Sequence, residues 1–328
     1  MQSLNLGVLG VSAHFIKRVF LPLRNIQSVN IHGIASRHKE KANSIAQKLG
    51  INNAYNDYQQ LIDDPAIDFV FIPLPNHLHL EWIKKAADAG KHILCEKPIA
   101  LNTEQAKEAV AYADAKGVKL MEAFMYRFHP QWVRAKELVQ VGEIGSVTAI
   151  HTFFSYNNPD PSNIRNILEY GGGGVMDIGC YAISVPRFFL DKEPKRVVST
   201  LVKDSEFNTD KLTSAIIDFD SAQATFTVAT KTYPYQKVTI HGSSGNITIQ
   251  IPFNTFPDVP ALITVDTKIG VRNIEFPAAD HYGLQFKAFA ESILQDKPVP
   301  TPAEDAINNM KVIDAVFQSA DKGQWINL

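Results

Sequence analysis

The 328-residue chain has only two cysteines, Cys95 and Cys180. Two thiols build neither a disulfide framework nor a cysteine-based zinc site. Their scarcity fits a reducing cytoplasm. Net charge is nearly absent too: 32 Lys and Arg against 34 Asp and Glu leave −2. Bulk electrostatics therefore favour neither nucleic acid nor an anionic membrane as a partner. No apolar run approaches the roughly 18 residues needed to span a bilayer. Met1-Gln2-Ser3-Leu4 has no basic stretch followed by a signal-type apolar core. Internal repeats, low-complexity tracts and long linkers are missing as well. What is present, 45% hydrophobic and 20% charged residues, is the profile of a globular protein. Its length suits two domains.

The first third alternates strand-like and helix-like segments. Leu4–Gly10 reads as a buried strand entering a glycine turn. A helical pattern follows through Ala13, Ile16, Val19, Phe20 and Leu23, with Pro22 expected to kink or end it. Val29–Ala35 is a second strand, and helix Lys39–Leu49 closes on Gly50. Phe69–Ile72 is a continuous apolar strand. The helix after it, from about His77 to Ala89, has Asn76 as its expected cap. His92–Cys95 is a further strand. The next helix opens at Asn102 with Gln105 three residues on, a capping-box arrangement. Leu120–Glu122 completes a parallel, doubly wound sheet.

Such a sheet binds ligands at its carboxyl edge. A glycine at the first strand-to-helix turn lets a pyrophosphate approach the backbone. Of the G-x-G-x-x-G fingerprint only Gly10 is in place, with Ser12 and Phe15 standing where the other glycines would be. A plain strand-to-helix turn fits the same pattern. Gly10, Ser12, Ala13, His14 and Phe15 are the candidate phosphate-turn residues. The second strand ends in Ser36-Arg37, where an acid would normally meet the adenosine ribose. A hydroxyl and a guanidinium suit a 2′-phosphate, hence NADP rather than NAD. A capping serine followed by solvated basic residues is the bland alternative. Leu74, Pro75, Asn76 and His79 follow the Phe69–Ile72 strand and are assigned near the cofactor. His77 and His79, two apart, do not form a metal pair. Glu96 and Lys97 are held at the end of the His92–Cys95 strand, because Pro98 cannot continue the ladder.

After Glu122 the pattern changes. A helix reaches about Val141, and strand-like segments follow at 147–156, 196–202, 212–219, 222–230, 237–241, 246–251, 262–266 and 273–276. Short polar turns, among them Ser243-Ser244-Gly245, argue for an open, mostly antiparallel sheet. The expected fold is α/β: a Rossmann domain over 1–122 and an α+β substrate and oligomerisation domain over 123–328. Gly171–Gly174 leads into a helix over 175–190 on which Asp177 and Tyr181 share a face. The glycines are read as room for a ligand, beside a flexible loop and a core tyrosine as the alternative.

Together these features resemble the Gfo/Idh/MocA family of oxidoreductases, over essentially the whole chain. Glu96-Lys97-Pro98 matches the family's EKP motif, and Gly171–Tyr181 matches a glycine run followed by D-x-G-x-H/Y. Gly7–Phe15 fits the branch in which the later fingerprint glycines are replaced. Ser36-Arg37, Phe124–Arg127 and a tyrosine at 181 resemble the NADP-linked branch of dihydrodiol dehydrogenases, aldose 1-dehydrogenases and glucose–fructose oxidoreductase. The resemblance implies a sugar or polyol substrate and a homodimer, or a dimer of dimers, through the open sheet. It also implies that Arg127 and Arg165 lie beside cofactor or substrate.

For hydride transfer, Tyr181 is a candidate acid/base if a cation lowers its pKa from about 10. Lys97 is that candidate cation and a stabiliser of charge on the substrate oxygen. Lys97 as the base itself stays open, and Asp177 is assigned to orientation. A nucleotide-deoxysugar ketoreductase and a non-catalytic dinucleotide-binding regulator are the alternative functions. The regulators of this fold lack the EKP lysine that stands here.

Overall fold

The computed structural model describes residues 3–328. It divides into two compact units: the chain up to Met125 with His281–Ile307, and Tyr126–Asp280 with Asn308–Leu328. In the first unit, β1 (Leu4–Leu9), β2 (Val29–Ala35), β3 (Asn53–Tyr55), β4 (Phe69–Ile72), β5 (His92–Cys95) and β6 (Leu120–Glu122) form one sheet. Its order is β3-β2-β1-β4-β5-β6 and every pairing is parallel. The order reverses between β1 and β4, the switch point at which such sheets take ligands. Helices α1 (Phe20–Leu23), α2 (Lys39–Leu49), α3 (Tyr58–Asp63), α4 (His79–Asp88) and α5 (Thr103–Ala115) connect the strands. β4 is buried at every position, as a strand covered on both faces must be.

Caps mark several boundaries. α2 ends on Gly50 at φ 69°. Asn102 Oδ1 accepts from the Gln105 amide at 3.0 Å and opens α5. The Gln105 side chain reaches back to the Leu101 amide, one residue earlier than a capping box requires. Three segments differ from expectation. The first helix opens as a π-turn, Phe15–Val19, and α1 then ends at Leu23 with Pro22 in its last turn. Asn76 lies in a 3₁₀ turn, Asn76–Leu78, so it is not the cap of α4. β3 and α3 were not foreseen, since three- and six-residue elements carry too few positions to show a period.

The second unit opens with α6 (Pro130–Gln140). Its sheet comprises β7 (Val147–Asn157), β8 (Arg196–Lys203), β9 (Asp210–Asp218), β10 (Gln223–Ala229), β11 (Lys231–Gly242), β12 (Gly245–Ile249), β13 (Ala261–Thr267), β14 (Gly270–Phe276) and β15 (Ile326–Asn327). The strand order is β14-β13-β12-β11-β7-β10-β9-β8-β15, antiparallel except where β10 runs parallel to β7. Ser243 and Ser244 turn the hairpin between β11 and β12. One face, with Ile150, Phe154, Phe226 and Val238, is buried, and helix α7 (Cys180–Leu190) packs on it through Tyr181 and Phe154. The other face carries a groove of about 880 Å³ lined in part by Phe153, Ile216, Tyr233 and Tyr235. The chain returns to the first unit with α8 (His281–Leu294). Phe289 and Phe286 of that helix pack edge-on against Phe69 and Phe71 of β4. α9 (Ala303–Lys322) follows.

Candidate active site

At the carboxyl edge of the first sheet, Gly10 has φ 135°, a conformation open to glycine. A Cβ there would lie 3.5 Å from Leu74 Cδ2, so the turns after β1 and β4 adjoin. Ser12 Oγ accepts from the Phe15 amide at 3.1 Å and shapes the turn, with Ala13 exposed on it. The Phe15 side chain is in the core, against Phe20 and Phe71. Only its backbone stands at the phosphate turn. Ser36 is buried and its hydroxyl accepts from the His38 amide at 3.2 Å. Arg37 is exposed and hydrogen-bonds the Tyr58 hydroxyl. Burial, then the Arg37 charge, lowers the pKa of nearby His77. Leu74 is buried, while Pro75 and Asn76 are half-buried.

The loop holding Lys97 is pinned on both sides. The Glu96 amide continues the ladder to the Ile72 carbonyl at 3.1 Å. The Lys97–Pro98 peptide bond is cis. The Pro98 carbonyl lies 2.9 Å from His79 Nδ1, and the Ile99 amide donates to Glu122 Oε1 at 2.8 Å. Glu96 Oε1 is 3.6 Å from His14 Nε2. Burial opposes charge on Glu96, but His14, Lys97 and His79 outweigh it and hold its carboxyl below the usual range. His79 itself is fully buried, and its other ring nitrogen lies 2.8 Å from the Leu74 carbonyl. Both nitrogens are taken by backbone, so the ring shapes the loop and offers no polar atom to a cofactor. This corrects its place among the cofactor contacts.

In the second unit a π-turn, Val175–Gly179, precedes α7 and carries Asp177. Asp177 Oδ2 accepts from Arg165 Nε and from the Tyr156 hydroxyl, each at 2.8 Å. Burial, then the Asp177 charge, pushes the Tyr156 pKa far up, so Tyr156 stays a phenol and a donor. The Asp177 carboxylate likewise raises that of Arg165, whose charge is also coupled to Tyr181. Tyr181 is buried among Tyr126, Phe154 and Phe253, with ring centroids 5.1–6.0 Å away. Arg127 Nη2 donates to Ser184 Oγ at 2.6 Å, one turn beyond Tyr181, and the guanidinium lies 5.7 Å from the Phe188 ring centroid. Tyr156 was missed from sequence. Its signal was the period-two alternation that puts Ile150, Thr152, Phe154 and Tyr156 on one face of β7.

The glycine run, read from sequence as room for a ligand, makes room for the protein's own groups. A Cβ on Gly172 would lie 2.5 Å from the Arg165 carbonyl oxygen, and one on Gly173 would run into Asp210 Oδ1. Asp210 is buried there and accepts from the Val175 amide at 2.7 Å and the Thr213 hydroxyl at 3.1 Å. The glycines form a cradle for an internal carboxylate at the start of the segment that carries Asp177 and Tyr181. Among the described residues no group of three or more His, Cys, Asp or Glu could hold a metal. No described helix is long and apolar enough to cross a membrane.

Residues 4–124 match the family model described as an oxidoreductase family with an NAD-binding Rossmann fold. Residues 132–248 match the GFO/IDH/MocA C-terminal domain. An uncharacterised oxidoreductase of Rhizobium meliloti is 37% identical, with 99% of each chain covered. The chain belongs to the GFO/IDH/MocA oxidoreductase family. Within that family, a D-xylose 1-dehydrogenase (NADP(+)) of Haloferax volcanii is 36% identical to this oxidoreductase, over 98% of its chain and 99% of the relative. Among solved structures, the 3-ketoreductase KijD10 of Actinomadura kijaniata, in complex with NADP and TDP-benzene, superposes with a TM-score of 0.91 at 26% identity. That match covers 97% of this chain and 98% of the other. Variants of KijD10 with one lysine or one tyrosine replaced have also been solved. Those two residues are as far apart in its chain as Lys97 and Tyr181 are here.

Proposed function

We propose that this oxidoreductase moves a hydride between NADP and a hydroxyl or carbonyl carbon of a sugar or related cyclic polyol. The observation that carries the reading is the pinned loop that presents Lys97 at the carboxyl edge of β5 in a dinucleotide-type sheet. The residues present fit the dinucleotide. Gly10 leaves the backbone open at the first turn, and an exposed Arg37 stands where an NAD-preferring site would place an acid. When bound, the nicotinamide supplies or accepts the hydride. Lys97 holds positive charge against the substrate oxygen as it develops negative charge. Tyr181 carries the hydroxyl proton. Asp177, held by Tyr156 and Arg165, orients the substrate.

The NADP-linked xylose dehydrogenase relative supports a free sugar as substrate. The dTDP-ketosugar reductases, at 26–27% identity, support the ketoreductase alternative less strongly. The presence of Lys97 argues against a non-catalytic regulator. The aromatic groove on the open sheet face suits a second copy of the chain, hence a homodimer. Two buried cysteines that form no disulfide suit the cytoplasm.

The test follows nicotinamide absorbance with NADP(H) and a panel of aldoses, polyols and dTDP-ketosugars. Turnover is expected with a free sugar, and Lys97→Ala should lower it on the order of 100-fold or more. A folded Lys97→Ala enzyme with parental turnover would refute the assignment. Turnover confined to dTDP-ketosugars would move the reading to the ketoreductases.

A further inference from the structure

His79 begins α4 and is fully buried. Its ring addresses two backbone turns at once: Nδ1 is 2.9 Å from the Pro98 carbonyl oxygen, and Nε2 is 2.8 Å from that of Leu74. Both partners can only accept. A neutral imidazole has one N–H and one lone pair. In either tautomer, one nitrogen would aim its lone pair at a carbonyl oxygen at hydrogen-bond distance. An imidazolium has two N–H donors and satisfies both carbonyls. The charged groups to which this ring is coupled are Glu96 and Lys97. Burial is the largest influence on it and, with Lys97, lowers its pKa on balance, while the two carbonyls and Glu96 pull the other way. What calls for the second N–H is the geometry, two acceptors at hydrogen-bond distance from one ring. A counter-charge is at hand, because Glu96 is held ionised.

We propose that His79 is an imidazolium in the folded protein, a charged strut that ties the turn after β4 to the Lys97–Pro98 loop and so positions Lys97. The strut spans two functional segments. Leu74 adjoins Gly10 at the dinucleotide-type turn, and Pro98 follows Lys97 directly. The Glu122 anchor at Ile99 restrains the far side of the loop. A neutral side chain whose donors all sit on one atom, as in glutamine, would hold one of the two carbonyls and release the other. Lys97 would then keep its charge and lose its fixed address. The positioning role rests on the reading of Lys97 as the residue at the substrate oxygen, whereas the charge state of His79 does not.

The decisive measurement is nitrogen NMR of uniformly ¹³C,¹⁵N-labelled parent protein, with the His79 ring signals assigned through backbone and side-chain correlations. Both His79 ring nitrogens should carry protons at pH 8, above the usual histidine pKa of about 6.5. A neutral tautomer at pH 8, with one unprotonated ring nitrogen, overturns the proposal. This experiment uses the parent protein, so it decides even if variants fail to fold. In kinetics, folded His79→Gln should lose turnover by roughly ten- to a hundredfold, with KM for cofactor and substrate changed much less. Parental turnover in the folded variant overturns the positioning role. If Lys97→Ala were to keep its activity, the functional reading would fall while the NMR result still stood.

Discussion

Replacing Asp210 with asparagine removes a buried charge whose cost appears in the pH dependence of stability. Burial pushes the Asp210 carboxyl up from 3.8 to about 6, although amides of Val175 and Gly174, its own amide and the Thr213 hydroxyl all favour the ionised form. The folded protein therefore binds this proton more tightly than the unfolded chain does. Above pH 6 the group is ionised in both states, and the fold bears the cost of burying the charge. As pH falls below 6 the fold takes up the proton first and gains stability, until the unfolded chain is protonated near 3.8. The gap corresponds to about 3 kcal/mol. Asparagine cannot titrate, so Asp210→Asn should lack this gain. The assay is urea unfolding of parent and variant between pH 7.5 and 4, followed by fluorescence of Trp132, which is buried in the same unit. The parent should gain about 2.4 kcal/mol on the variant as pH falls to 4, because the unfolded carboxyl has itself begun to take up its proton there. Other titrating groups cancel in the difference, and a constant offset from altered hydrogen bonds leaves the trend intact. Parallel stability curves would refute the argument that the glycine cradle holds a strained, desolvated carboxylate.

Gly173→Ala places a Cβ against Asp210 Oδ1 on a backbone with φ 114°, and should destabilise the protein by at least about 1–3 kcal/mol. An unchanged melting temperature would show that Asp210 does not occupy the cradle in solution. Tyr156→Phe deletes one donor to Asp177 and keeps the ring. It should cost about 1 kcal/mol of stability but lower turnover severalfold, and a loss of stability with full activity would leave Tyr156 a structural residue only. Arg37→Asp should weaken NADP by roughly ten- to a hundredfold, from a lost charge-assisted contact, with little effect on NAD. Titrations at fixed ionic strength measure this, and equal weakening of both cofactors would remove Arg37 from the site.

Local chemistry made much of this protein legible in its sequence. Four consecutive apolar residues in β4, the glycine stop of α2 and the Asn102 cap of α5 act within one strand or one turn. Their neighbours in sequence are their neighbours in space, so the alternating strands and helices, and with them Lys97 at a strand end, could be read directly. The strands of the second sheet were visible for the same reason, except the two-residue β15, too short to show a period. The partners of the buried polar groups were not visible, because each is set by chain segments far apart in sequence. Asp210 fills the glycine cradle from 35 residues away, and Tyr156 reaches Asp177 across 21. Arg127 reaches Ser184 across 57. Nothing within a few residues of Gly173 distinguishes a cradle for a bound ligand from one for an internal carboxylate. A buried hydrogen-bonding group must find a partner wherever packing provides one. The sequence by itself determined the longer elements and the edge at which Lys97 emerges. Only the tertiary structure decided what His79, Asp177 and the glycines touch, because those contacts exist only once distant strands and turns have been packed together.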